Sequence, residues 1–272
     1  MESKILFLDL DGTLLNDRKE LTDGNRDAMA RAMEAGHRVV IASGRPLKSV
    51  LLQAARLGLD GSGAYAIAYN GAVIYDFSQQ RQIFRRALKP EDLYAVFDEA
   101  DRRGIYIQTY DHETVVFEPH NSPEIARRYC ERIQLDYRVM EDIRHGLTEM
   151  PVKALAIDFD GQERTDALRR WIAEQMSGRL DSYFSDLYFL EIVSAGVNKG
   201  EGIEKLCELL NVPLERTVAM GDEANDVDMI RAAGIGVAMC NGIPALKAVA
   251  DVVTEHDNNH DGVAEIIERF IL

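Results

Sequence analysis

Three cysteines, one tryptophan and seven prolines are all that this 272-residue sequence holds of those types. Cys130, Cys207 and Cys240 stand far apart and form no metal-ligand pattern. Free thiols in a reducing compartment are therefore expected, not a disulfide framework. Basic residues are short as well: 31 Lys and Arg stand against 46 Asp and Glu, a formal charge of −15. Such an acidic body repels nucleic acid and anionic lipid, since either would need a basic face. A small anion can still bind if a metal ion or helix ends supply positive charge locally. Long apolar runs are missing too. The run ILFL at 5–8 is too short for a signal-peptide core and is ended by Asp9. No segment approaches the roughly 18 uncharged apolar residues of a membrane span. A soluble, cytoplasmic protein with no membrane or nucleic-acid partner is the expectation.

What is present is ordinary globular material, 46% hydrophobic and 28% charged, at a length that suits one domain with a large insertion or two unequal domains. Both ends of the chain alternate strand and helix. KILFLDL at 4–10, RVVIA at 38–42 and AYAIAY at 64–69 read as buried strands. Thr22 and Gly36 bound a first helix, and Pro46 and Gly58 a second. Asn70-Gly71 joins the third strand to AVIYD as a hairpin. The rhythm resumes with a helix over about 198–210, the strand TVAMG at 217–221, and a helix ended by Gly234. The short strands GVAM and DVVT follow, then a final helix, DGVAEIIERF. Short parallel-type strands alternating with helices predict an α/β fold, a doubly wound Rossmann-like parallel sheet. The middle, 83–193, differs. Helices near 90–103, 122–134 and 163–177 lie among alternating segments such as YIQTY, TVVFE and LEIV and the run VKALAIDF. They suggest an inserted α+β domain with an antiparallel sheet. The expected division is 1–82 and 194–272 for the core and 83–193 for the insertion.

Four segments carry chemistry. Asp9-Leu10-Asp11-Gly12-Thr13 closes the first strand, and open α/β sheets bind ligands outside the carboxyl ends of their strands. Ser43-Gly44-Arg45 follows the second strand just before Pro46 opens a helix, so a hydroxyl and backbone N–H groups lie where an anion can bind. Taken alone, Ser43 reads better as a helix cap than as an anion site. Lys199 starts the 198–210 helix, where an ammonium opposes the helix dipole; it either reaches solvent or is held there to meet an anion. Asp222, Asn225 and Asp226 follow TVAMG as hard oxygen donors, suited to Mg²⁺ and poorly suited to Zn²⁺. A helix cap would explain one of these three, not all.

These four segments, in this order, resemble the four motifs of the haloacid dehalogenase (HAD) superfamily, over about 160 residues of core. Only 29 residues separate Thr13 from Ser43, whereas 153 lie between Arg45 and Lys199. Since the core needs about 40 of these at typical element lengths, a domain-sized insertion remains. It resembles the α/β cap of the Cof-type subfamily, with its YidA-like sugar phosphatases, and AGIGVAM at 233–239 matches that subfamily's pattern.

The resemblance implies a Mg²⁺-dependent phosphatase working through an aspartyl-phosphate. Asp9 would be the nucleophile and Asp11 the acid and then the base. Lys199 would neutralise charge and keep Asp9 ionised. Leu10, Ser43, Gly44, Lys199 and Asn225 would bind phosphate. Asp9, Asp222 and the backbone carbonyl of Asp11 would bind Mg²⁺. Thr13, Arg45 and Asp226 would support these groups from behind. The implied substrate is a small phosphorylated metabolite, most readily a sugar phosphate. A nucleotide, flavin mononucleotide or pyridoxal phosphate remains open, as does a non-catalytic Mg²⁺ and phosphate-binding module. The cap would exclude water and select the substrate. His256 and His260 are expected in a polar loop, Asp158 and Asp160 in a strand-end turn, and Trp171 in packing.

Overall fold

The computed structural model describes residues 3–61 and 63–272, with Asp186 by its backbone alone. Met1, Glu2 and Ser62, which fall in the predicted segment 1–82, lie outside the described residues. The chain divides into two compact units. One runs up to Phe84 and resumes at Asn198–Leu272; the other is Arg85–Val197. The expected boundaries, 83 and 193, fall two and four residues before the observed ones.

Elements are numbered in chain order. The first unit is built on a sheet whose middle strand is the first in sequence. β1 (Ile5–Leu8) pairs in parallel with β2 (Arg38–Ala42) on one side and with β12 (Thr217–Gly221) on the other. β3 (Tyr65–Ala68) continues the parallel run beyond β2. β4 (Val73–Asp76) returns antiparallel, and β5 (Arg81–Arg85) closes that edge. On the far side β13 (Ile235–Ala238) and β14 (Val252–Val253) extend the sheet in parallel. Consecutive residues of β1 are all buried because both faces are covered. Ile5 and Phe7 pack with Val40, Ile67 and Ala219 beneath Ile203, Leu206, Met229 and Ile230. Those four come from α7 (Lys199–Leu210) and α8 (Val227–Ala232). Leu6, Leu8, Val39 and Ile41 alternate to the opposite face and are equally buried.

α1 (Asp23–Glu34) and α2 (Leu47–Leu57) connect β1 to β2 and β2 to β3. Gly58 ends α2 in the left-handed conformation, as expected. Thr22 stands before α1, but its hydroxyl makes no cap bond. Asp261 instead accepts from the Asn25 amide at 3.2 Å. Asn25 returns the service, accepting from the Ala264 amide at 2.8 Å at the start of α10 (Gly262–Ile266). The first and last helices thus cap each other. Asn70-Gly71 does turn the chain between β3 and β4, but the connection is four residues long, from Ala68 to Val73, with positive φ at Tyr69, Asn70 and Gly71.

The second unit is the expected α+β body. Its sheet runs β10-β11-β9-β6-β7-β8, formed by β6 (Tyr106–Asp111), β7 (Thr114–Phe117), β8 (Tyr137–Val139), β9 (Lys153–Ile157), β10 (Leu180–Asp186) and β11 (Phe189–Ser194). All its pairs are antiparallel except β7 with β8. One core joins Leu93, Val96 and Phe97 of α3 (Pro90–Arg102) and Leu168 and Ile172 of α6 (Glu163–Gln175) to Ile107, Ala154 and Leu190. Trp171 packs against it, half-buried. α4 (Pro123–Ile133) and the single turn α5 (Ile143–Gly146) complete the unit. α9 (Pro244–Lys247) is a similar short turn in the first. Among the described residues no helix is long and apolar enough to cross a membrane, and all three cysteines are free thiols.

Candidate active site

The site forms where β1, β2 and β12 end. Asp9 stays tied to the sheet, its amide donating to Met220 O at 3.0 Å. The chain then leaves the ladder, earlier than the predicted strand 4–10. Leu14 N bonds back to Asp9 O and Leu15 N to Leu10 O, closing one wide turn. Gly12 is required in that turn for two reasons. Its φ is +84°, and a Cβ there would sit 2.2 Å from Asp222 Oδ2.

Lys199 lies at the centre. It is fully buried, and its Nζ donates to Asp9 Oδ1 and to Asp226 Oδ1, each at 2.6 Å. Burial lowers the affinity of this ammonium for its proton, but Asp226 and Asp9 outweigh that and raise it, so Lys199 is charged. This decides between solvent and an anionic partner for Lys199 in favour of the latter. Asp226 is used on both oxygens, since its Oδ2 accepts from the amides of Asp222 and Glu223, each at 3.0 Å. It fixes Lys199 and the loop after β12 and has no oxygen left over.

Asp222 is oriented by Thr13, whose Oγ1 donates to Asp222 Oδ1 at 2.8 Å. Carboxylate oxygens of Asp9, Asp222 and Asp226 all lie within 4.8 Å of one another. One ammonium does not balance them. Burial pushes Asp9 up to about 7 against the pull of Lys199, and pushes Asp222 up to about 6. Two carboxylates held in this way, with hard oxygen donors alone, fit a divalent cation such as Mg²⁺, which supplies the missing charge. With both oxygens of Asp226 engaged, the donors left are those of Asp9 and Asp222.

Asp11 points elsewhere. Arg45 grips it with Nε at 2.9 Å from Oδ2 and Nη2 at 2.8 Å from Oδ1, and Lys19 Nζ lies 2.9 Å from the same Oδ1. Partial burial raises the carboxyl, but Arg45 and Lys19 outweigh it and hold it below its ordinary value. Arg45, which the sequence leaves between facing substrate and pairing with an acid, is paired. Ser43 is buried, and its Oγ accepts from the Arg45 amide at 3.3 Å. Gly44 beside it packs so close to Asn70 that a Cβ would meet Asn70 Oδ1 at 2.9 Å. Asn225 Nδ2 donates to the same Asn70 oxygen at 3.1 Å. The Leu10 side chain is fully buried, so Leu10 can offer phosphate only its backbone.

Two residues here escape sequence reasoning. Lys19 sits at φ +61° in a tight hairpin after the turn. Asn70 looks like turn chemistry but also links Gly44 to Asn225. The only signals were an Asn in a turn and a lysine in a loop, neither specific. His256 pairs with Glu265, His260 with Asp257, and Asp158 with Arg164. A second group of possible metal ligands, Asp101, Glu118 and His120, lies in the second unit. There His120 Nε2 is 2.6 Å from Asp101 Oδ1, and Glu118 accepts from the Ile143 amide.

Comparison with known proteins agrees with this geometry. A family model described as haloacid dehalogenase-like hydrolase matches residues 6–267. The 5-amino-6-(5-phospho-D-ribitylamino)uracil phosphatase YitU of Bacillus subtilis is 29% identical, with 99% of each chain covered. The pyridoxal phosphate phosphatase YbhA of Escherichia coli is 27% identical, with 100% of each covered. A crystal structure of a haloacid dehalogenase-like hydrolase from Bacteroides thetaiotaomicron superposes with a TM-score of 0.88 at 32% identity, covering 98% of this chain and 99% of that one.

Proposed function

Because the chain belongs to the haloacid dehalogenase-like hydrolases and is a phosphatase of that family, we propose that it hydrolyses phosphomonoesters of small metabolites, sugar phosphates foremost, through an aspartyl-phosphate on Asp9. The observation that carries this reading is the buried Lys199 bridging Asp9 and Asp226. A phosphate dianion repels a carboxylate nucleophile, so attack needs fixed positive charge at the reacting oxygen.

In the first step an Asp9 oxygen forms a bond to phosphorus as the ester P–O bond breaks and the leaving oxygen takes a proton from Asp11. In the second, water attacks the same phosphorus and gives a proton to Asp11, and the Asp9–phosphorus bond breaks. The structure holds Asp11 as a carboxylate, the form the second step needs; donating a proton first requires Arg45 and Lys19 to release it. Lys199 aims Asp9 and favours its ionised form against the opposing effect of burial. Ser43 Oγ, the Gly44 amide and Asn225 are the phosphate-holding groups. Asp9, Asp222 and the Asp11 carbonyl would hold Mg²⁺, which supplies charge neutralisation when bound. The second unit, as a cap, is the part assigned to choosing among substrates.

Phosphate release from a panel of sugar phosphates, nucleotides, flavin mononucleotide and pyridoxal phosphate tests the reading. It should be run with Mg²⁺, with chelator, and with Asp9→Asn. The expected result is Mg²⁺-dependent release, abolished in the variant and greatest on a sugar phosphate. A preference for flavin mononucleotide or pyridoxal phosphate would favour the cofactor-phosphate reading, for which the named substrate of YbhA speaks. Release that persists in Asp9→Asn would overturn the mechanism, and none from any compound would favour a binding module.

A further inference from the structure

The turn that follows Asp9 is not held by its own bonds alone. Two asparagines from the far end of the chain reach it. Asn241 Nδ2 donates to Gly12 O at 2.7 Å. Asn258 Nδ2 donates to Leu15 O at 3.0 Å and to Asp17 Oδ1 at 3.2 Å. The two are joined, since Asn241 Oδ1 accepts from the Asn258 amide at 3.3 Å. Neighbouring Asn259 Oδ1 takes the Asp17 amide at 3.1 Å. Asn258 is 3% exposed, so the Leu15 carbonyl it meets would otherwise be a buried acceptor without that donor.

The loop that carries Asn258 is itself rigidly fastened. Thr254 bonds to Ala238 O through its amide and takes the Cys240 amide on its Oγ1. Glu265 accepts from the amides of Glu255 and His256. Gly262 N bonds to Asp257 O. A fastened loop therefore grips the turn that follows Asp9. From Leu15 the chain enters the hairpin closed by Asn16 N to Glu20 O at 2.9 Å, and that hairpin presents Lys19 to Asp11. Gly12 stands between Asp11 and Thr13, whose hydroxyl orients Asp222. Pinning Gly12 and Leu15 thus sets where Asp11 and Thr13 sit.

We propose that Asn241 and Asn258 are positioning residues for phosphoryl transfer, holding the Asp9–Asp17 turn in register through the carbonyls of Gly12 and Leu15. The proposal rests on the reading that Asp9 and Asp11 perform the reaction. Neither asparagine touches the reacting atoms, and neither is reached by the motif pattern. Only an amide fits the role of Asn258, which must accept no charge and donate twice at short reach. A carboxylate there would face a carbonyl and the Asp17 carboxylate.

A purely structural role predicts lower stability with unchanged turnover per folded molecule. A positioning role predicts lower kcat with KM little changed, because phosphate is still bound while the attacking and proton-carrying groups are misplaced. The full chain should be assayed on an aryl phosphate with Mg²⁺, alongside thermal melts. Asn258→Asp and Asn241→Ala should each lower kcat by about ten- to a hundred-fold, the cost of a small misplacement near the chemistry, with KM within about two-fold. Asn241→Gln, which keeps the donor on an exposed side chain, should restore most of the rate. Unchanged kcat in Asn241→Ala, or a loss in proportion to unfolded protein, would overturn the proposal. Asn241→Ala decides the matter even if Asn258→Asp does not fold. Asp9→Asn separates the two readings: if it is inactive while both asparagine variants turn over normally, the positioning role alone fails. If Asp9→Asn stays active, the underlying mechanism fails.

Discussion

Lys199 bears two costs at once. It is fully buried, and it occupies the first position of a helix, where the partial positive charge of the N-terminus opposes an ammonium. Asp9 and Asp226 offset both, and Asn198 takes over the capping, accepting from the Glu201 amide at 2.8 Å. Lys199→Met keeps most of the volume and leaves two buried carboxylates facing each other. We expect a loss of roughly 3–5 kcal/mol, the usual result of breaking a buried pair from one side, together with loss of phosphate release. A melting curve and an activity assay on the same preparation check both. The acids and the hydroxyl of the motifs stood out in the sequence because they follow apolar strand runs, and Lys199 because an ammonium opens a helix. Lys19 and Asn70 did not, because their importance comes from which residue they meet in space. Asn70 and its partner Asn225 are far apart in sequence, and nothing in the letters pairs them.

At the level of elements, the mutual capping of α1 and α10 makes a discriminating prediction. Asp261→Ala removes the acceptor for the Asn25 amide and should cost about 1 kcal/mol, as for an ordinary cap. Thr22→Ala should cost less, although Thr22 is the residue that the sequence marks as the cap. Urea midpoints of the two variants settle the order. The start of β2 offers a pH test. His37 is buried, with Nδ1 accepting from the Lys4 amide at 3.1 Å. Burial, then the nearby Lys4 ammonium, hold its pKa below the ordinary 6.5. Below pH 6.5 the unfolded chain gains a proton that the folded chain resists, so stability should fall from there down through the folded pKa. Melts at pH 7.5 and about 5 should show this fall, and His37→Gln should reduce it. The central strands were legible because they are continuous apolar runs. β8, β10 and α5 were not. All of β8 is exposed, LDSYFSD of β10 has little apolar alternation, and α5 is a single turn. Such segments owe their form to a neighbour already in place.

For the whole molecule, the testable consequence of the acidic cluster lies in the Asp9 and Asp222 carboxylates, proposed to take Mg²⁺. A ligand that binds only the folded state stabilises it in proportion to the logarithm of its concentration. Added Mg²⁺ should therefore raise the melting temperature, with about 2.7 kcal/mol gained at a hundred times the dissociation constant. Asp222→Asn should lose most of that gain, and a melting temperature indifferent to Mg²⁺ would contradict the assigned ligands. The long interval between Arg45 and Lys199 announces an insertion in the sequence, but no Gly- or Pro-rich linker marks its edges.

The place of β1 in the sheet bears on how the chain is made. Ile5–Leu8 leaves the ribosome long before Thr217–Met220, with which it pairs on one side. At 5–20 residues per second that wait is roughly 10–40 s. Throughout it, a central and wholly apolar strand has one open edge, while Arg85–Val197, contiguous in sequence, has every residue it needs to fold before β12 is made. Synthesis should therefore pass through a stage in which the interrupting unit is complete and the unit it interrupts is not, with β1 open on one side until β12 arrives.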